Sequence, residues 1–144
     1  MITIRSATVE DAPAILALNS SFDDVRATVE QIAEHITQFT QFETPFVAEV
    51  DGQVVGLACL RLLPCLCDAR PSAELTELIV EPAHRRRGVG RALVHHVEGK
   101  ARDQGAFALH INTAEQNEAA RSFYKALDYQ SFTVTLQRPL IDKD

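Results

Sequence analysis

The sequence predicts an α/β domain. A central mixed sheet of roughly six or seven strands should be flanked by about four helices. Three observations carry this expectation. Short β-branched runs alternate with stretches whose apolar residues recur every three or four positions. An Asp51-Gly52 pair joins two such runs as a hairpin, while later runs are separated by helix-length segments. Antiparallel strands should therefore come early and crossover connections late, which makes a mixed sheet.

The elements follow in chain order. Ile2-Thr3-Ile4-Arg5 alternates and reads as a first strand. Thr8 and Asp11 have capping-box spacing ahead of an alanine- and leucine-rich helix, and Pro13 suits its first turn. Val25, Val29, Ile32, Ile36 and Phe39 lie at helical steps, so residues 20–42 read as an amphipathic helix. Residues 46–50 and 53–60 are the two strands of the Asp51-Gly52 hairpin. Residues 62–72 contain two prolines and read as a loop or frayed strand end. Residues 73–80 form the next strand, residues 88–104 a helix stopped by Gly105, and residues 107–112 another strand. Residues 118–126 read as a short helix and residues 132–136 as a last strand. Neither an internal repeat nor a linker divides the chain, so residues 1–144 are expected to form one domain.

Composition bounds the function. The chain has 144 residues, 46% hydrophobic and 24% charged, an ordinary globular mix able to bury a core. Net charge is −6, which argues against general nucleic-acid binding and mildly favours a cationic partner. No apolar run reaches membrane-spanning length, and the N-terminus lacks the apolar centre of a signal peptide, so a cytoplasmic protein is expected. Cys59, Cys65 and Cys67 read as free thiols, and no second pair accompanies Cys65-x-Cys67, so no metal site is expected.

The most informative stretch is residues 78–94. Leu78, Ile79 and Val80 end a strand that Pro82 terminates. Arg85, Arg86, Arg87, Gly88, Val89, Gly90 and Arg91 then lead into a helix. The first amides of a helix have no partner inside it, and the helix dipole adds positive charge there. Side-chain-free glycines admit a phosphate close to the backbone, and arginines add forked cationic donors. The arrangement predicts a phosphate or pyrophosphate ligand; a merely solvated basic turn is the plain alternative. The P-loop pattern and the third glycine of the dinucleotide fingerprint are both missing.

Arg85-x-x-Gly88-x-Gly90, preceded by Leu78-x-Val80-x-Pro82, resembles the acetyl-CoA motif of the GNAT superfamily of N-acetyltransferases. Ile4-Arg5-x-Ala7-Thr8-x-x-Asp11 resembles that family's first strand and helix. Asn117-x-x-Ala120-x-x-Phe123-Tyr124-x-x-Leu127-x-Tyr129 resembles its C-terminal signature, with Asp128 where glycine is usual and Tyr129 where phenylalanine is usual. The resemblance extends along nearly the whole chain and implies the GNAT acyltransferase fold.

It also implies an acetyl-CoA-dependent transfer to an amine by direct attack, without a metal, in a protein that is commonly a homodimer in the family. The turn's amides would hold the CoA pyrophosphate. The backbone around Leu78, Ile79 and Val80 would pair with the pantetheine arm, and Asn117 would hydrogen-bond the cofactor. Tyr124 would protonate the departing thiolate; its plain alternative is a packed aromatic, as a helix cap is for Asn117. Glu74 is the favoured base and Glu77 the second choice. Their odd separation puts them on opposite faces of a regular strand. His84, His95, His96 and His110 have nothing to select them. In the family, the region between the first two helices borders the acceptor pocket, so Asp23, Asp24 and Glu30 could meet a cation, though solvated surface is their plainer reading. Two rival functions share the turn: a CoA-binding partner module without turnover, and a phosphate binder that ignores CoA.

Overall fold

The computed structural model describes residues 1–21 and 25–142. They fall into two compact units, Met1–Ile111 and Asn112–Asp144. The first unit holds a five-stranded sheet in sequential order. Its strands are β1 (Ile2–Ser6), β2 (Glu43–Val50), β3 (Gln53–Cys65), β4 (Asp68–Val80) and β5 (Leu109–Ile111). Neighbours are antiparallel except β4 and β5, which are parallel, so the sheet is mixed as expected.

The β2–β3 turn is the predicted one. Asp51 has φ 51° and Gly52 φ 76°, both left-handed, and Val50 pairs with Gln53. Positive φ at both central residues matches the right-handed strand twist. The β3–β4 connection departs from expectation. Instead of a loop over residues 62–72, the two strands run on as one long hairpin to the Cys65–Asp68 pair. Pro64 sits at a register irregularity, a place where a missing N–H costs no ladder bond.

Strand number is the main correction. Residues 132–136 form no strand. Phe132, Val134 and Leu136 are 79%, 84% and 90% exposed, so the alternation that suggested a strand buries no face. Alternation is necessary for a half-buried strand, but a ladder partner is also needed. The structure thus gives five strands among the described residues.

Helix α1 (Ala12–Ser20) follows a single 3-10 turn, Val9–Asp11. Asp11 accepts from the Thr8 amide at 2.7 Å and from both Arg5 guanidinium arms at 2.8 and 2.9 Å. The predicted helix over residues 20–42 is shorter. Helix α2 (Val29–Gln38) starts at Thr28, whose hydroxyl accepts from the Gln31 amide while Gln31 accepts from the Thr28 amide. That reciprocal cap is a helix start, so the periodicity running back to Val25 does not reflect one continuous helix. Asp23 and Asp24 lie outside the described residues.

Two apolar layers enclose the sheet. On one face Ile15 and Leu18 of α1 pack on Val47, Leu57 and Cys59, with Ile32 and Ile36 of α2 beside them. On the other lies α3 (Val89–Asp103), whose Val89, Leu93, Val94 and Val97 are all buried, as their spacing predicts. Each such side chain contributes about 1.5–3 kcal/mol of burial. Gly56 lets α3 approach closely: a Cβ there would lie 3.0 Å from Leu93 and 3.1 Å from Val89. The helix ends at Gly105, with φ 87°, as the sequence suggests. In the second unit, α4 (Glu118–Ala126) begins at Asn117.

Candidate active site

A cavity of about 870 Å³ opens on the α1–α2 face of the first unit. Its apolar wall includes Ile15, Ile32, Ile36, Phe39, Leu57 and Ile79, and its polar groups include His35, Glu43, Arg61, Thr76 and Glu77. Apart from His35 of α2, these polar groups come from three adjacent strands. On β3, Cys59 and Arg61 are two apart and share a face. Cys59 pairs with Glu77, and Arg61 pairs with both Glu43 of β2 and Glu74 of β4.

This register corrects the expectation for Glu74 and Glu77. Cys59 faces Glu77 but Leu60 faces Leu75, so Thr76 is an extra residue on β4. Such a bulge breaks the period of two. Glu74 and Glu77 therefore lie on the same face, not opposite ones. Of the two, Glu77 lines the cavity, while Glu74 stands one row away with a carboxylate oxygen 4.0 Å from Arg61. Arg61 also lies 3.6 Å from Glu43. The Thr76 hydroxyl donates to Glu43 and reaches the Cys59 carbonyl at 3.4 Å, tying the bulge to both neighbouring strands.

Glu77 stays exposed at the cavity wall, yet surrounding protein displaces enough water to push its carboxyl above the usual carboxylate range. The field of Glu43 adds to this; the Cys59 thiol, donating at 3.4 Å, and Arg61 oppose it. Burial, with Glu77 and Glu43 nearby, pushes the Cys59 thiol well up, so it remains S–H. Glu43, Glu74 and Glu77 all lie near Arg61, and Arg26 also lines the cavity, so carboxylates and guanidiniums meet on one wall.

The basic turn lies where β4 ends. Pro82–His84 form a single 3-10 turn, and His84 Nδ1 lies 2.8 Å from Glu81. Arg85 Nε donates to the Val80 carbonyl at 3.2 Å, folding its side chain back along the strand end. Arg86 has φ 61° and Gly88 φ 85°, two left-handed steps that turn the chain into α3. Nothing lies within 4 Å of a Cβ placed on Gly88, so the backbone there is open. The first ladder bond in this turn is Ala92 N–H to Gly88 O, at 3.0 Å. The amides of Val89, Gly90 and Arg91 precede that ladder.

In the second unit, Asn117 caps α4, its side chain accepting from the Ala120 amide at 3.1 Å. Tyr124 stacks edge-on with Phe123 and Tyr129, at 5.1 and 5.8 Å between ring centres. Burial pushes its phenol up to about 12, so it holds its proton at neutral pH. Asp128 has φ 68°, the left-handed turn for which the family's glycine is suited. Ala120, Phe123 and Tyr124 of α4 and its C-cap Leu127 are the half-buried positions, and Ala119 is exposed.

The profile of the acetyltransferase (GNAT) family matches residues 13–129. The chain belongs to the GNAT superfamily of N-acetyltransferases. An uncharacterized N-acetyltransferase of Chlorobaculum tepidum is 27% identical over 94% of this chain and 83% of its own length. An amino-acid acetyltransferase of Pseudomonas putida is 32% identical over 76% of this chain, which spans only 24% of that larger protein. A Trypanosoma brucei acetyltransferase structure superposes with a TM-score of 0.82, covering 97% of this chain and 100% of that one, at 19% identity.

Within this GNAT chain, the sequence singles out the turn and the pair Glu74 and Glu77, with Glu74 preferred; it does not single out Glu43, Arg61, Thr76 or Cys59, which line the cavity beside Glu77. Their proximity arises from strand register, which one sequence does not print. The one available signal was Thr76 between two glutamates on a strand. Among the described residues no helix is long and apolar enough to cross a membrane. None of them form a group of three or more His, Cys, Asp or Glu able to hold a metal.

Proposed function

We propose that this protein is an acetyl-CoA-dependent N-acetyltransferase acting on a primary amine, with the two units working as one domain. The observation that carries the reading is the turn into α3: an open, left-handed Gly88 beside arginines at the end of a strand. It fits a pyrophosphate, because a side chain at residue 88 would occupy the space the anion needs. Arg85, Arg86, Arg87 and Arg91 supply charge, and the amides of Gly88, Val89 and Gly90 supply donors. β5 pairs with β4 only at Ala73–Leu75, so the β4 edge at Leu78, Ile79 and Val80 supports strand-like pairing with an extended pantetheine arm. Acetyl-CoA, when bound, supplies an activated thioester and a thiol leaving group.

The chain's own residues then divide the work. Glu77, with its raised proton affinity, takes a proton from the amine directly or through a water. Glu74 shapes the field from the next row, by way of Arg61. On the family resemblance of α4, Asn117 holds the cofactor and Tyr124 protonates the leaving sulfur; its protonated phenol supports this role. The net charge of −6 mildly supports a cationic acceptor. Small amine, amino acid, peptide N-terminus and lysine are the acceptor classes to assay. A net charge of −6 supports an enzyme that engages no nucleic acid; we propose a cytoplasmic location without membrane engagement, and a homodimer on the family resemblance.

Calorimetric titration with CoA, followed by a thiol-release assay with acetyl-CoA across an amine library, tests the reading. Saturable CoA binding and at least one acetylated amine are expected. Tight CoA binding with no reactive amine would mark a CoA-binding partner module. Absence of CoA binding would mark a different phosphate ligand and refute the proposal.

A further inference from the structure

We propose that Cys59 is a positioning residue for Glu77, its buried thiol donating to one carboxylate oxygen and so fixing how the other meets the amine. The inference rests on the reading of Glu77 as the base. Cys59 is 6% exposed, lies directly opposite Glu77 in the β3–β4 register, and has Sγ 3.4 Å from Glu77 Oε2. Cys65 and Cys67 are exposed and, like Cys59, free of disulfides. The adjoining bulge at Thr76 is what brings the glutamate over the thiol. With Oε2 engaged by the thiol, proton acceptance falls to Oε1. A buried thiol held protonated donates across the working pH range without competing as a nucleophile.

Several other groups face Glu77. Glu74 shares its strand, Arg61 stands on β3, Glu43 on β2 and His35 on α2, with Arg26 on the segment before α2. Glu43 raises the proton affinity of Glu77, and Arg61 lowers it. The thiol also lowers it, so removing the donor must raise the titration midpoint of Glu77. Cys59→Ala should shift that midpoint up by about half a pH unit, since S–H donors are weaker than O–H. Cys59→Ser keeps a donor and should restore it.

The test uses the full chain, labelled with 13C at glutamate carboxyls, with the Glu77 signal assigned through Glu77→Gln. Midpoints are compared in wild type, Cys59→Ala, Cys59→Ser and Cys59→Val. The last fills the space without donating and carries the comparison if the alanine variant fails to fold. The acid limb of kcat/KM for an accepted amine should follow the same order. Upward shifts in the alanine and valine variants, reversed in serine, support the inference. An unmoved midpoint in both, or serine shifted as far as alanine, overturns it. Loss of turnover in Glu77→Gln with an unmoved Cys59→Ala midpoint overturns this inference alone. Full turnover in Glu77→Gln overturns the base reading and this inference with it.

Discussion

Gly56→Ala on β3, under α3, and Gly99→Ala on α3 itself add the same methyl group, and they should act in opposite directions. At Gly56 the new carbon would meet Leu93 Cδ1 at 3.0 Å, Val89 Cγ1 at 3.1 Å and the Ile79 carbonyl at 3.3 Å. Carbon contacts are comfortable at roughly 3.5–4.0 Å, so the neighbours would have to retreat by a few tenths of an ångström. Leu93 and Val89 are 0% and 2% exposed, and close-packed interiors hold little slack. Overpacking of this kind costs about 1–3 kcal/mol. At roughly 3 °C per kcal/mol for a chain of this size, the melting midpoint should fall by about 3–9 °C. At Gly99, on the same helix, nothing lies within 4 Å of the added carbon. There the substitution should gain about 0.5–1 kcal/mol of helix propensity and raise the midpoint by about 2–3 °C. Thermal melts with urea titrations at unchanged m-value measure both. A Gly56→Ala protein as stable as wild type would refute the claim that this glycine sets the spacing of α3 on the sheet.

Three further outcomes are expected. Tyr124→Phe should lower kcat by about ten- to a hundredfold with little change in CoA affinity, read by steady-state kinetics and calorimetry; equal turnover would remove the acid role. Gly88→Ala should weaken CoA binding by about five- to tenfold, because the side chain intrudes on the open turn, while the strain at φ 85° lowers stability by about 1–2 kcal/mol. Arg5 holds the Asp11 carboxyl below the usual range, chiefly by hydrogen bonding. Its stabilisation is therefore complete above about pH 4 and fades as pH falls through the lower folded value. Asp11→Asn should cost about 1–3 kcal/mol at pH 7, with the gap from wild type narrowing toward pH 3; a constant gap in urea titrations would contradict this.

Where one local signal settled an element, the sequence reading and the structure agree. Asp51-Gly52 supports only a tight hairpin, Gly88 and Gly105 bracket α3, and Asn117 caps α4. Disagreement arose where a partner decides. Residues 62–65 and 68–72 become strand because each supplies the other's ladder, despite two prolines. Residues 132–136 alternate as well as any strand, but pair with none. Thr76 as a bulge is invisible along β4 alone; it exists only relative to Cys59 and Leu60. That single slip determines which carboxylates share a face, so the basic turn could be read from one sequence and the acid cluster could not.

The long β3–β4 ribbon offers a place to cut and rejoin the chain. Past Leu62, which still bonds Phe42 at 2.9 Å, its two arms run on with no flanking strand among the described residues to an outermost residue, Leu66, that is fully exposed. Amides there should exchange with deuterium long before those of the sheet below, and proteases should cleave there first. A backbone break at this tip severs no element that holds the cavity or the basic turn, which makes it the natural place to open the chain for a fused reporter.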